Sequence, residues 1–397
     1  MRISSSQLYT NSLNSMLDQQ AKLAKTQLQI STGKKLLTPS DDPVGAVRSL
    51  ELTRAQERTN QYQRNANILD SRMRLEEATL GSTIDVLQRI RELAIQGNNA
   101  TQGNESRASI ASELRQQLDN VLSYANTKDS SGHFIFAGYQ EGSSPFSKTP
   151  SGYNYNGDDG QRLLQVGPAR SLPDGDSGSE VFMSILNGNG KFQASANAAN
   201  TGGGVVDAGT VIDNNAFNRE AFTVRFTTAS VYEILNAGGA VVSTANYQDG
   251  GNIEVGGMSV KIKGPAVAGD EFNIAPSQRQ DMFSMVEALA VSFETPRSSG
   301  GGRALQHSEV NVAISNLDQA LDHLIDKQAE VGARMQSLER QTDINAGASL
   351  QISGSLSLVN DLDYAEAISR FTQQQASLQA AQQAFTRLQG LSLFNYL

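Results

Sequence analysis

The chain has 397 residues, with 32 Lys plus Arg against 41 Asp plus Glu and a formal net charge of −9, so it lacks the basic surplus that neutralising nucleic-acid phosphates requires. It contains no cysteine, which rules out disulfides, thiolate zinc sites, iron–sulfur clusters and cysteine nucleophiles. Its histidines, His133, His307 and His323, are not spaced as ligands on one helix turn, and no run approaches the roughly 20 apolar residues of a membrane span.

The opening residues, Met1 to Gln7, are polar and carry no apolar h-region, so no standard signal peptide is expected. Residues 1–38 hold a weak apolar seam, Leu13, Leu17, Ala24 and Leu28, flanked by Met16, Leu23 and Ile30. Pro39-Ser40-Asp41-Asp42-Pro43 follows. Pro43 biases Asp42 away from the α region, and Ser40, Asp41 or Asp42 can cap the next helix, where a proline in the first turn loses nothing. This is either an ordinary linker cap or an elbow between two helical regions.

Beyond the turn, Met73, Leu80, Leu87 and Ala94 recur every seven residues, with Leu69, Ile84 and Ile90 beside them. A second helical run over 106–124 carries Ile110, Leu114, Leu118, Val121 and Leu122 on one side, and the glycine- and asparagine-rich segment at 97–104 reads as the turn between the two. Gly132-His133-Phe134-Ile135-Phe136-Ala137-Gly138 is apolar between glycines, and is expected to be a strand at the bundle's edge, with Phe134 and Phe136 in the core.

Composition changes at 141–280, which holds 21 of the 35 glycines and six of the nine prolines. The period there becomes two, as in Phe222-Thr223-Val224-Arg225-Phe226 and Val260-Lys261-Ile262, and Asn156-Gly157 and Asn187-Gly188 are hairpin-turn dipeptides. The stretch from Ala194 to Gly209 is loop-like. Asp174-Gly175-Asp176-Ser177-Gly178 has a passing likeness to a calcium loop but lacks the remaining ligands and closing Glu, and it reads as a surface turn. Asp158-Asp159 reads as solvated.

From 305 onward a heptad seam returns: Val310, Ile314, Leu317, Leu321, Leu324, Gln328, Val331, Met335 and Leu338, the mark of a long helix packed against another. The last register, Tyr364, Ile368, Phe371, Gln375, Leu378, Gln382 and Phe385, includes two glutamines, and the final 52 residues carry only five charges. A helix with a polar seam and an uncharged outer face has little reason to fold alone. The two ends are therefore expected to order as a coiled coil on assembly, with Leu13, Leu17, Leu28, Ile368, Phe371, Leu378, Phe385, Phe394 and Leu397 in subunit contacts.

The expected architecture is α+β, an elongated helical coiled-coil bundle from both chain ends with an inserted β-rich domain. Its domains are 1–44 with 346–397 (terminal polymerisation), 45–140 with 281–345 (helical bundle) and 141–280 (exposed insert). No catalytic, cofactor or metal residues are expected.

Ser31-Thr32-Gly33-Lys34-Lys35-Leu36 followed by Thr38-Pro39-Ser40-Asp41-Asp42-Pro43-Val44-Gly45-Ala46 resembles the N-terminal signature of the bacterial flagellin family. Gln383-Ala384-Phe385 to Leu397 is similar to that family's closing helix. The Pro-Ser-Asp-Asp-Pro form, the Gly132–Gly138 motif and Pro145-Phe146 are more like the family's hook–filament junction branch than filament flagellin. The resemblance implies a structural flagellar subunit, an adaptor at the hook–filament junction, exported unfolded without a cleaved signal peptide to an extracellular position. It also implies partners: a hook-side junction protein (hook-associated protein 1), flagellin, further copies of the chain in a ring, and an export chaperone at the C-terminal helix. The alternatives are filament flagellin itself and, in another class, a surface adhesin or glycan-active enzyme displayed through 141–280.

Overall fold

The computed structural model describes residues 5–150 and 152–390. The chain divides into two compact units, one of residues 1–64 with 341–397, the other of 65–340. The sequence pattern put these divisions at 44 and 346. Those positions and the limits of the compact units, 64 and 341, all lie inside two uninterrupted helices, α2 (Pro43–Gly97) and α5 (Gly300–Asn360).

In the unit of 65–340, α2 runs to Gly97 and is followed by α3 (Asn104–Ala125), α4 (Met282–Glu294) and the first part of α5. Leu69, Met73, Leu80, Leu87, Leu114, Leu118, Leu289, Val310, Leu317, Leu324 and Val331 are buried in one core, which is the heptad pattern realised as interhelical contact. α4 opens at Asp281, whose carboxylate accepts the Ser284 amide at 2.6 Å, and it is apolar on most of its surface because it lies within the bundle. At Gly97 a Cβ atom would come within 2.3 Å of the Phe293 ring, so the close approach of α2 and α4 requires glycine there.

The strands occupy 146–280. First come β1 (Phe146–Thr149), β2 (Gly152–Tyr155), β3 (Leu163–Gly167), β4 (Arg170–Pro173), β5 (Ile185–Leu186) and β6 (Phe192–Ala196). Then follow β7 (Val205–Val206), β8 (Thr210–Val211), β9 (Phe222–Thr228), β10 (Val231–Asn236) and β11 (Val241–Asn246). β12 (Asn252–Val255), β13 (Met258–Lys263), β14 (Glu271–Pro276) and β15 (Arg279–Gln280) complete the set. An antiparallel sheet in the order β11-β10-β9-β14-β6 and a smaller one, β12-β13-β7 with β8 also paired to β13, share a core of Phe192, Val224, Phe226, Ile234, Val260, Ile262, Phe272 and Ile274.

The insert is not one body around one core. Residues 192–274 bury their own apolar set, whereas Phe146, Tyr153, Val166, Phe182 and Ile185 belong to the helical core. Phe283 of α4 is the meeting point, with ring centroids 5.1 Å from Phe146 and 5.0 Å from Tyr153.

Several local expectations differ from what forms. Gly132–Gly138 is not a strand but a turn-rich loop with a single bridge, Lys128 to Phe134. Ile135, Phe136 and Ala137 are buried consecutively rather than alternately, and glycines with φ of +85° and +65° end the segment. Neither Asn-Gly dipeptide closes a hairpin: β5 pairs with β15, not with β6. The two-residue hairpin with both central residues at positive φ is Gly256-Gly257, between β12 and β13. The stretch expected as loop contains the end of β6 and all of β7. Asp174 and Asp176 are buried and ion-paired rather than lying in a solvated surface turn.

Candidate assembly surface

The unit of 1–64 and 341–397 is built around α1 (Ser5–Thr32) and α6 (Tyr364–Gly390). They run antiparallel: Tyr9 meets Phe385 with ring centroids 5.1 Å apart, while at the other end Leu362 donates to the Gly33 carbonyl and Lys35 to the Asn360 carbonyl. The covered face of α1 is Ser12, Met16, Gln19, Leu23, Thr26 and Ile30, spaced alternately four and three. Its partner face on α6 is Ala367, Phe371, Gln374, Leu378, Ala381 and Phe385.

Phe371, Leu378 and Phe385 lie half-buried between the helices. Leu13, Leu17, Leu28 and Ile368 do not; they stand on the outer faces, Leu17 with 54% and Leu28 with 52% of its surface open. The physical cause is the anchor at Gly33 and Leu362, which sets α6 so that small Ala367 takes the contact position and Ile368, one residue on, turns outward. Phe394 and Leu397 lie outside the described residues.

The α1–α6 seam is poor in apolar surface and incompletely hydrogen-bonded. Thr26 and Gln29 are buried in it, and the side-chain oxygens of Gln19 and Gln374 are buried without a partner among the described residues. An orphaned buried amide oxygen costs about 1–3 kcal/mol. Only two apolar residues in this unit, Leu362 and Ala367, are fully buried among those described, yet twelve of the 23 exposed large hydrophobic residues fall in it. They include Val44, Val47 and Leu50 on α2, and Ile344, Leu350 and Leu358 on α5, with Leu358 85% open.

The Pro39–Pro43 turn joins α1 to α2. Asp42 is the cap: its carboxylate accepts the Val44 amide at 3.2 Å and the Gly45 amide at 3.0 Å, with Pro43 as the first helical residue. Asp41 faces the other way, accepting the Leu37 and Thr38 amides at 3.2 Å each and ion-pairing Lys25 of α1 at 2.6 Å. The Lys25 hydrogen bond is the main cause that lowers the Asp41 carboxyl to about 2. Ser40 bonds Thr38 at 2.8 Å, and Pro39 is exposed. Lys25 was not legible as a site residue, since nothing in a 16-residue separation marks an ion pair.

In the other unit, charged residues consolidate the 129–176 loops against α2 and α5. Arg72 binds Asp129 at 3.0 Å and Glu141 at 2.9 Å, and Arg162 binds Asp174 at 2.7 Å. Glu76, 2% exposed, accepts the Asp176 amide at 3.0 Å, while Arg334 of α5 pairs with the Asp176 carboxylate. Burial first, and the Asp176 charge second, push the Glu76 carboxyl up to about 8. Among the described residues no group of three or more His, Asp or Glu is arranged to hold a metal ion, and no helix is long and apolar enough to cross a membrane.

Comparison with known proteins fits this anatomy. The bacterial flagellin N-terminal helical region matches residues 3–141 and the bacterial flagellin C-terminal helical region matches 314–397. Flagellar hook-associated protein 3 of Salmonella typhimurium is 25% identical over 99% of both chains. Among solved structures, Xanthomonas campestris FlgL is 32% identical with a TM-score of 0.73, covering 77% of this chain and 99% of that one. Flagellar hook associated protein-3 from Legionella pneumophila is 31% identical with a TM-score of 0.74, covering 78% and 98%. Helical ends that match the family's N- and C-terminal helical regions, joined through a folded insert, together with these likenesses in sequence and structure, establish that the chain belongs to the bacterial flagellin family, in its hook-associated protein 3 branch.

Proposed function

We propose that the chain is a non-catalytic structural subunit that joins hook to filament, seated between a hook-side junction protein and flagellin and repeated around a ring. The observation that carries this reading is the unit of 1–64 and 341–397, in which, among the described residues, Leu362 and Ala367 alone of the apolar side chains are buried while a series of large apolar side chains is held out. Such a unit gains stability only when neighbours cover it. The outward residues Leu13, Leu17, Leu28 and Ile368 meet adjacent subunits, whereas Phe371, Leu378 and Phe385 hold α6 against α1. Phe394 and Leu397 of the C-terminal segment take part in the same subunit contacts. The 39–43 turn serves as the elbow that fixes α1 to the start of α2. Before assembly an export chaperone shields the C-terminal helix, and the chain is exported to an extracellular position in the flagellum.

Deleting the gene in its own organism, imaging the cells by electron microscopy and probing the medium for flagellin tests the proposal. Bare hooks with flagellin accumulating in the medium are expected. Loss of filaments with no other flagellin exported would assign the chain to the filament instead, and filaments persisting unchanged would overturn both flagellar roles.

A further inference from the structure

Two arginines and a histidine meet without an acid to balance them at the corner where α2 ends and α3 and α5 begin: Arg107 binds the Gly97 carbonyl, His307 binds the side chain of the next residue, Asn98, and Arg303 stands one turn before His307 on α5. Arg107, in the first turn of α3, is only 3% exposed, and its Nε donates to the Gly97 carbonyl at 3.1 Å. Arg303, in the first turn of α5, is exposed and donates to the Ser298 carbonyl at 3.1 Å. His307, one turn further along α5, is half-buried. Among the described residues neither arginine is ion-paired, and the charge acting on Arg107 is that of Arg303, another cation. Nearby acids do not answer them: Glu309 is held by Arg297 at 2.8 Å and by Ser292 at 2.6 Å, and Glu105 points to solvent without an ion pair.

This placement runs against ordinary electrostatics twice. A buried guanidinium normally has a carboxylate partner, and positive side chains in the first turns of helices oppose the helix dipole. α3 also starts at Gly103 with no side-chain cap on its first amides. The Gly97 carbonyl, at the negative end of α2, offsets part of one charge and leaves the rest.

Hydrogen bonding fixes what His307 can offer. Asn311 Nδ2 donates to the Val206 backbone carbonyl at 3.2 Å, an acceptor only, so Asn311 Oδ1 must accept from Asn98 Nδ2 at 3.1 Å. Asn98 Oδ1 then faces His307 Nδ1 at 2.6 Å, and Nδ1 must carry the hydrogen. Nε2 is left for a ligand, with a proton to donate when the ring is charged. Burial, then Arg107 and Arg303, lower the His307 pKa, so an arriving negative charge would reverse the two coulombic causes.

We propose that Arg107, Arg303 and Nε2 of His307 form an oxyanion site, filled by a carboxylate side chain of an adjoining subunit or by a free phosphate-like anion. The site uses the shared chemistry of both: two or more charge-accepting oxygens, a bidentate match to guanidinium and one hydrogen bond to a protonated imidazole. The carboxylate source rests on the proposed assembly, whereas a free anion meets the isolated chain without it.

The test uses the full chain carrying ¹³Cε1-labelled histidine, whose three resonances are assigned by single substitutions. The pH is titrated at constant ionic strength in chloride, in chloride with acetate and in chloride with sulfate, the last a tetrahedral oxyanion whose charge stays constant across the range. The His307 midpoint is expected to rise by about half a unit or more in acetate, sulfate or both, relative to chloride, with His133 and His323 unmoved. Arg303→Gln, at an exposed position, should remove most of that rise without unfolding the chain, and Arg107→Lys should reduce it where the variant folds. A rise with acetate assigns the site to carboxylates, and a rise with sulfate alone to free tetrahedral anions. An equal midpoint in all three salts, meaning that neither anion binds there, or a rise that survives Arg303→Gln, overturns the proposal.

Discussion

Replacing Leu13, Leu17 and Leu28 together with serine isolates the outward face of α1 from the seam that holds the helix pair. Full burial of a leucine side chain is worth about 1.5–3 kcal/mol, and these three have 39, 54 and 52% of their surface still open. Covering what remains would contribute about 1 kcal/mol each, so the triple variant should lose about 3 kcal/mol of association per subunit, on the order of a hundredfold in affinity. Because the side chains are already exposed, monomer stability should move by no more than about 0.5 kcal/mol per site. The assay pairs immunogold counting of the variant at hook tips, expressed from its own locus in place of the natural chain, with thermal unfolding of the purified full chain. Incorporation should fall sharply while the main unfolding midpoint stays put, in contrast to Leu317→Ser in the core of α5. Normal incorporation, or a midpoint that drops as far as that of the core variant, would refute the outward-face reasoning.

Other outcomes follow from the same structure. Phe371→Ser with Leu378→Ser faces α1 rather than solvent, so it should raise protease sensitivity of 364–390 in the free chain, which the outer-face triple should not do. The raised Glu76 carboxyl favours the neutral form in the fold, so its contribution to stability is full below the ordinary carboxylate range and is lost as pH climbs through about 8. Melting midpoints at pH 5, 7 and 9 should therefore decline for the natural chain and flatten for Glu76→Gln. Asp41 has the opposite sign: held down to about 2 chiefly by Lys25, it supports the turn above the ordinary aspartate range and loses that support as pH falls through about 2. Lys25→Met should move its carboxyl titration, followed by carbon NMR, back toward the ordinary value. Asp42→Ala removes the α2 cap and should cost about 1 kcal/mol of helix stability, read as faster amide exchange in the first turn of α2.

The heptads of Met73 to Ala94 and Val310 to Leu338 were legible because a long helix repeats its burial every seven residues whatever its partner. The strands of Phe222–Phe226 were legible in the same way, from a period of two. So was the change of composition that marks the insert, and so was the cap potential of Pro39–Pro43. These signals are local, written in spacing and backbone preference.

The rotation of α1 and α6 was not local. Two adjacent stripes on each helix have nearly equal apolar content, and the choice between them is made by the Gly33–Leu362 anchor, which only the folded chain brings together. Tertiary structure likewise decided that Asp174 and Asp176 are buried ion-pair members rather than solvated turn residues, because Arg162 and Arg334 arrive from distant sequence. It also divided the insert between two cores and set Arg107 on the Gly97 carbonyl next to Asn98, whose side chain binds His307. Periodicity records which residues of a segment share a face; which face is covered, and by what charge, depends on segments that meet only on folding.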